Sequence, residues 1–110
     1  DLMMGLVGSE MCIRDSKALT WRNLGVFRWA DRIAEAERNI AFWSRYVLGE
    51  ELNSRTGLEA QNMLTVAMLI ARAAHVRTES RGAHQRTDYP ATDDAWLRHT
   101  DLCRADFRGI

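Results

Sequence analysis

Met63-Leu64-Thr65-Val66-Ala67-Met68-Leu69-Ile70-Ala71 is the stretch that decides how this chain folds. Wound into a helix it is apolar on nearly every side, which predicts an element buried on several faces and placed centrally. A strand is the alternative for so short an apolar run, but this one lies inside a longer capped segment. Thr56 and Glu59 have the spacing of a capping box, with Ser54 as a rival N-cap. Arg72, Arg77 and Arg81 crowd the far end, where cations complement the helix dipole. Gly82 then offers a left-handed cap. The pattern predicts a helix from Thr56 to about Arg81, roughly 40 Å long.

Working outward, Ala30 to Leu48 reads as a second helix. Ile33, Ala36, Ile40, Trp43 and Val47 recur by three and four and form one apolar stripe, with Gly49 as the stop. Lys17 to Leu24 reads as the end of a further helix, with apolar surface from Leu19, Trp21 and Leu24 and a C-cap at Gly25. Val26 to Arg28 is a short connector. Beyond the long helix, Ala83 to Ala91 predicts an ordered loop, with Tyr89 held extended by Pro90. Thr92-Asp93-Asp94 has the acids of a helix start, from which Trp96, Thr100 and Cys103 would face the core. Short connections favour antiparallel neighbours. The expected fold is therefore all-α: an antiparallel three-helix bundle with an ordered polar loop and a short C-terminal helix.

The chain's 110 residues leave room for one small domain. Fifteen basic and fifteen acidic residues give a net charge of zero, so no basic stripe argues for nucleic acid. The apolar run is far shorter than the 20 or so residues that cross a bilayer. Cys12 and Cys103 do not make a disulfide framework, which favours a reducing compartment. Residues Leu6 to Ser16 resemble a translated sequencing adaptor: one frame of a common transposon-tagmentation adaptor reads Leu-Val-Gly-Ser-Glu-Met-Cys-Ile-Arg-Asp. Residues 1–16 are accordingly expected to be non-native, and residues 17–110 to be a helical-bundle domain truncated at both ends. Setting the first segment aside leaves 14 basic and 12 acidic residues.

Few residues carry chemistry. There is no Gly-x-Gly-x-x-Gly and no phosphate loop. His75, His84 and His99 lack the i, i+4 spacing of a helical metal pair, and no metal site is expected. Cys103 reads as a buried thiol, and Asp93-Asp94 as complements to a helix dipole. The exception is the run from Arg77 to Asp88. Arg77 and Arg81 stand one helical turn apart, Glu79 lies between them, and His84, Arg86 and Asp88 follow. Guanidinium groups make planar, bidentate bonds to carboxylates and carbonyls. These six residues are candidates for fixing the loop or docking against another domain. A solvated helix end with ordinary surface charge stands equally open. A catalytic Arg or His is a third reading, for which the sequence supplies no pocket.

Arg77, Glu79-Ser80-Arg81-Gly82-Ala83-His84, Arg86-Thr87-Asp88-Tyr89-Pro90 and Asp93-Asp94 resemble the C-terminal helical domain of the fumarate reductase/succinate dehydrogenase flavoprotein superfamily. Asn62 to Ala67 and Ile70 to Ala74 look like that domain's preceding helix, and the likeness spans residues 17 to about 100. Trp21-Arg22-Asn23-Leu24-Gly25-Val26 is similar to the L-aspartate oxidase branch. That resemblance implies a cytoplasmic FAD enzyme oxidising L-aspartate to iminoaspartate in NAD biosynthesis, with oxygen or fumarate as electron acceptor. It also implies that flavin-binding and capping domains, absent here, carry the catalytic residues and are the bundle's partners. No catalytic, cofactor-binding or metal residue is therefore assigned. No FAD bound by this part alone, no nucleic acid and no membrane insertion are expected. The alternatives are the same domain of a succinate dehydrogenase or fumarate reductase flavoprotein subunit, and a free-standing, non-catalytic helical interaction module.

Overall fold

The computed structural model describes residues 2–48 and 55–103, and side-chain surroundings for residues 13–45 and 55–103. Among the described residues three helices make the body: α1 (Leu2–Asn23), α2 (Ala30–Leu48) and α3 (Arg55–Val76). Each helix packs on the other two. Two-residue strands β1 (Phe27–Arg28) and β2 (Gln85–Arg86) pair in parallel, Phe27 beside Gln85 and Arg28 beside Arg86. The expectation of an all-α chain is corrected by this pair. It brings the connector after α1 against the loop after α3.

The core follows helical spacing. Ile33, Ala36 and Ile40 of α2 are buried against Ala60, Leu64, Ala67, Met68, Ala71 and Ala74 of α3, with Leu19 and Leu24 from the end of α1. Trp43 packs at its edge; the side chain of Val47 and the stop at Gly49 lie outside the described residues. Most buried positions on α3 are small, which lets neighbouring backbones come close. Several of its large residues are left outside: Val66 is 54% exposed, Ile70 42% and Leu69 39%. The apolar run is thus central, touching both other helices, but it is not covered all round. Its bare side borders a groove lined by Ser16, Thr20, Asn62, Met63, Val66, Ala67 and Ile70.

Several boundaries differ from expectation. α1 includes most of the segment set aside as foreign and runs unbroken to Asn23. Trp21 on it is 86% exposed and adds nothing to the core. Gly25 is not a left-handed cap, since Gly82 is the described glycine with positive φ. What Gly25 provides is close approach: a Cβ there would sit 2.9 Å from the Trp21 carbonyl oxygen. The turn into α2 is held by buried Asn23, whose Nδ2 donates to the Arg32 carbonyl at 3.0 Å and to Glu35 Oε2 at 3.2 Å. α3 begins at Arg55, so Thr56 is already inside it, and Glu59 pairs with Arg55 at 3.2 Å on the surface instead of closing a capping box. The rival cap, Ser54, lies outside the described residues. On its far side, Glu37 of α2 ties α3 down by accepting from His75 Nδ1 at 2.6 Å.

α3 also stops at Val76, five residues before Arg81. The expected second helix at Thr92 is a single 3-10 turn, Asp94–Trp96, capped by Asp93 Oδ1 accepting from the Ala95 amide at 3.0 Å. Cys103 is exposed, not part of an apolar face. Trp96 is half-buried, its indole N–H donating to Thr78 Oγ1 at 3.1 Å.

Candidate functional site

The early end of α3 has a physical cause in the loop that follows. A helix leaves its last carbonyls without intrahelical donors. Here the Arg86 side chain supplies them: Nη1 donates to the carbonyls of Ala74 at 2.9 Å, His75 at 3.0 Å and Arg77 at 3.4 Å. Its other edge holds Asp88 in a two-pronged bond, Nε to Oδ1 at 2.8 Å and Nη2 to Oδ2 at 2.7 Å. Arg86 is only 2% exposed, so its charge is balanced by this carboxylate and by the negative end of the helix dipole. The guanidinium bond holds the Asp88 carboxyl below its ordinary 3.8, against a smaller opposing effect of burial.

Glu79 is the second hub. It is fully buried, and its carboxylate accepts from Arg77 Nη1 at 3.2 Å and from Arg81 Nε at 2.7 Å. Arg77 also donates to the carbonyls of Trp96, at 2.8 Å, and of Arg98. Arg81 Nη2 reaches the Asp93 carbonyl at 3.3 Å. Arg77 and Arg81 are therefore not stacked on one helical turn. They flank a buried carboxylate from irregular backbone and draw the chain beyond residue 93 onto the loop.

Gly82 starts the reversal between Arg81 and His84, whose backbones exchange bonds of 2.8 and 3.0 Å. Its φ of 58° and the absence of positive φ at Ala83 match a hairpin turn of type II′, where glycine is favoured at the first central position. Gly82 thus serves a hairpin, not a helix end. The turn aims His84 into the knot, where Nε2 lies 2.9 Å from the Arg77 carbonyl and Nδ1 lies 2.8 Å from Arg28 Nη1. A carbonyl only accepts and a guanidinium only donates, so the ring is neutral with its proton on Nε2. Burial lowers the His84 pKa from 6.5; the Arg77 carbonyl opposes this, while repulsion from Arg28, Arg86 and Arg77 adds to it. Burial likewise lowers that of Arg28.

The structure brings all six sequence-selected residues into one knot: Arg77, Glu79 and Arg81 around one carboxylate, Arg86 with Asp88, and His84 meeting Arg86 at the Arg77 carbonyl. Three contributors escaped the sequence reading. Arg28 sat in an unremarkable connector, and only the pairing of β1 with β2 places it beside His84. Ser80 is buried, with its Oγ accepting from the Arg86 amide at 2.9 Å and donating toward the Tyr89 carbonyl at 2.7 Å. Thr92 Oγ1 donates to the Ser80 carbonyl at 2.7 Å. Small hydroxyl side chains carry no sequence signal for such bonds.

Chemically the knot is a scaffold with one open side. Glu79 and Arg86 are inaccessible, whereas the Arg81 side chain is 36% exposed. A cleft of about 460 Å³ opens there, lined by Arg77, Arg81, His84, Trp96, Leu97, Arg98 and His99. No nucleophile stands beside a base in it. The glycine with positive φ among the described residues, Gly82, closes the Arg81–His84 hairpin. Among those residues there is also no cluster of three metal-ligating side chains, and no helix long and apolar enough to cross a membrane.

Three packed helices followed by an arginine-rich loop built around buried Glu79 and buried Arg86 define a small helical domain. Residues 14–108 match the model of the fumarate reductase flavoprotein C-terminal family, and the chain belongs to that family. It is 47% identical over 75 residues to an L-aspartate oxidase of Xylella fastidiosa, covering 68% of this chain and 13% of that protein. An uncharacterized FAD-dependent oxidoreductase of Methanocaldococcus jannaschii is 33% identical over 88 residues, covering 76% and 16%. A fumarate reductase flavoprotein subunit of Helicobacter pylori is 39% identical over 87 residues, covering 70% and 12%. The chain thus spans less than a fifth of the length of these relatives. No solved structure matches it significantly.

Proposed function

We propose that this chain is the C-terminal helical part of an FAD-dependent L-aspartate oxidase, a cytoplasmic enzyme that converts L-aspartate to iminoaspartate for NAD biosynthesis. The observation that carries this reading is the 47% identity over 75 residues to the Xylella fastidiosa enzyme. In this reading the bundle binds no flavin itself. It packs against the flavin-binding and capping domains of the same polypeptide, and the six-residue knot holds its loop rigid for that contact. The bare apolar side of α3 supports the docking role, because large exposed apolar patches mark surfaces that are covered in the assembled protein. Residues 1–16 are on this view adaptor-derived; a codon series unlike the adaptor in the source DNA would refute that.

The test is to recover the whole gene, purify its product with FAD and measure oxidation of L-aspartate with oxygen or fumarate as acceptor. Turnover of L-aspartate supports the assignment. A second reading, a fumarate reductase or succinate dehydrogenase flavoprotein subunit, is favoured by the 39% identity over 87 residues to the Helicobacter pylori subunit. Succinate–fumarate interconversion without L-aspartate oxidation, or an adjacent iron-sulfur subunit gene, would replace the first reading by the second.

A further inference from the structure

The open cleft beside the knot has a charge imbalance that the described residues do not correct. Arg77, Arg81 and Arg98 bring three guanidinium groups to its lining, together with His99. The carboxylate beneath them, Glu79, already accepts from Arg77 and from Arg81 and is closed to solvent. Asp93 and Asp94 sit on the neighbouring 3-10 turn outside the lining, and the Asp93 carboxylate is spent on the Ala95 amide. Arg77 is tied to two carbonyls, but among the described residues no hydrogen bond engages Nη1 of Arg81, and the Arg98 side chain has one weak local hydrogen bond, Nε to the Ala95 carbonyl at 3.4 Å.

The walls are preorganised. The guanidinium groups of Arg77 and Arg98 each lie over the Trp96 ring, 5.3 and 4.7 Å from its centroid, while its N–H is fixed on Thr78. Leu97, 73% exposed, adds an apolar lip. Guanidinium groups without a carboxylate partner favour one, which they can bind in a planar, two-pronged fashion. An apolar lip beside that charge suits a carboxylate carried on a packed surface better than a fully hydrated free ion.

We propose that this cleft receives an acidic side chain, Glu or Asp, from the flavin-binding part of the same flavoprotein. This rests on the domain-packing reading above and names the chemistry of the contact. Arg81 and Arg98 clasp the carboxylate, Leu97 packs against the backbone that carries it, and the Glu79 hub keeps Arg81 in position.

The 110-residue chain, labelled with nitrogen-15, can be titrated with a capped tripeptide bearing a central Glu and with its Gln counterpart. Side-chain signals of Arg81, Arg98 and Trp96 report on the cleft. The expected result is saturable shifts confined to those signals for the Glu peptide alone, weakened about tenfold by Arg98→Gln, the loss of one charge-assisted contact. Arg98 is exposed and bonds only locally, so that variant keeps the fold; Leu97→Ala gives a second one, expected to weaken the peptide but not acetate. Failure to saturate, shifts spread over the surface, or acetate binding as tightly as the peptide would each overturn the proposal. The recovered gene tests the flavoprotein reading separately, since peptide binding is measured without FAD.

Discussion

Arg86 is where the structure makes its most quantitative claim. Two devices compete to explain its burial: the two-pronged bond to Asp88, and the cap it places on the carbonyls of Ala74 and His75. Arg86→Met removes both. Each helix-end carbonyl left without a donor costs about 1–3 kcal/mol when buried. The Arg77 carbonyl keeps its His84 partner. The Asp88 side chain is 34% exposed and regains water, so its loss is discounted to about 1 kcal/mol. Together the change costs about 3–7 kcal/mol, a large part of the roughly 5–15 kcal/mol that holds a small domain together. Arg86→Lys keeps the charge, but one ammonium cannot serve a carboxylate and the helix end at once, and should cost about 2 kcal/mol. Asp88→Asn leaves the cap intact and should cost about 1 kcal/mol. Urea unfolding followed by far-ultraviolet circular dichroism orders the three. The reasoning is refuted if Arg86→Lys matches the parent within about 0.5 kcal/mol, or if Asp88→Asn destabilises as much as Arg86→Met.

Glu79→Gln preserves shape but leaves Arg77 and Arg81 facing a neutral amide. The expected cost is about 2–3 kcal/mol, below the full buried-pair value because Arg81 is 36% exposed, and it is read from the same unfolding curves. Acid should act in two windows. His84 in the folded chain resists protonation, its pKa being lowered from 6.5, so above that value both states are neutral and nothing is lost. As pH falls below 6.5 the unfolded chain takes the proton first, and stability declines until the folded value is passed. Asp88 has its folded pKa lowered from 3.8, so its contribution is complete above 3.8 and is lost as pH falls through the folded value. Stability measured from pH 8 to 3 should therefore show an early decline that His84→Gln abolishes and Asp88→Asn leaves in place; an unchanged early decline in the histidine variant would contradict the assigned tautomer.

The helices were legible because their signal is local. Ile33, Ala36 and Ile40 announce a buried stripe by spacing alone, and α2 starts at Ala30 as that spacing predicts. The end of α3 was not legible, because the group that ends it lies ten residues beyond Val76, in the Arg86 side chain. Spacing could not assign the faces of α3 either. A run apolar all round does not say which side its neighbours occupy, and here they took the alanines with Leu64 and Met68 and left Val66, Leu69 and Ile70 outside. Arg28 shows the same limit for the knot. Its role depends on a contact with His84 across 56 residues, and nothing in its own neighbourhood records it.

Burial divides the six candidate residues in a way that charge could not. A docking side chain must reach a partner, which Glu79 at 0% exposure and Arg86 at 2% cannot do. They belong to the scaffold, as does His84, both of whose ring nitrogens are taken. Arg81 is left at the boundary, with Nε on Glu79, a place in the lining of the cleft, and no hydrogen bond at Nη1 among the described residues. Binding energy on that side depends on how little Arg81 must give up to engage a partner, because an arginine already held in place loses less entropy than a mobile one. The buried hub thus influences any contact made at the cleft without touching it. A change at Glu79 that spared the fold should therefore weaken that contact through Arg81, whereas a change at Arg98 should weaken it directly and leave the unfolding curve unmoved.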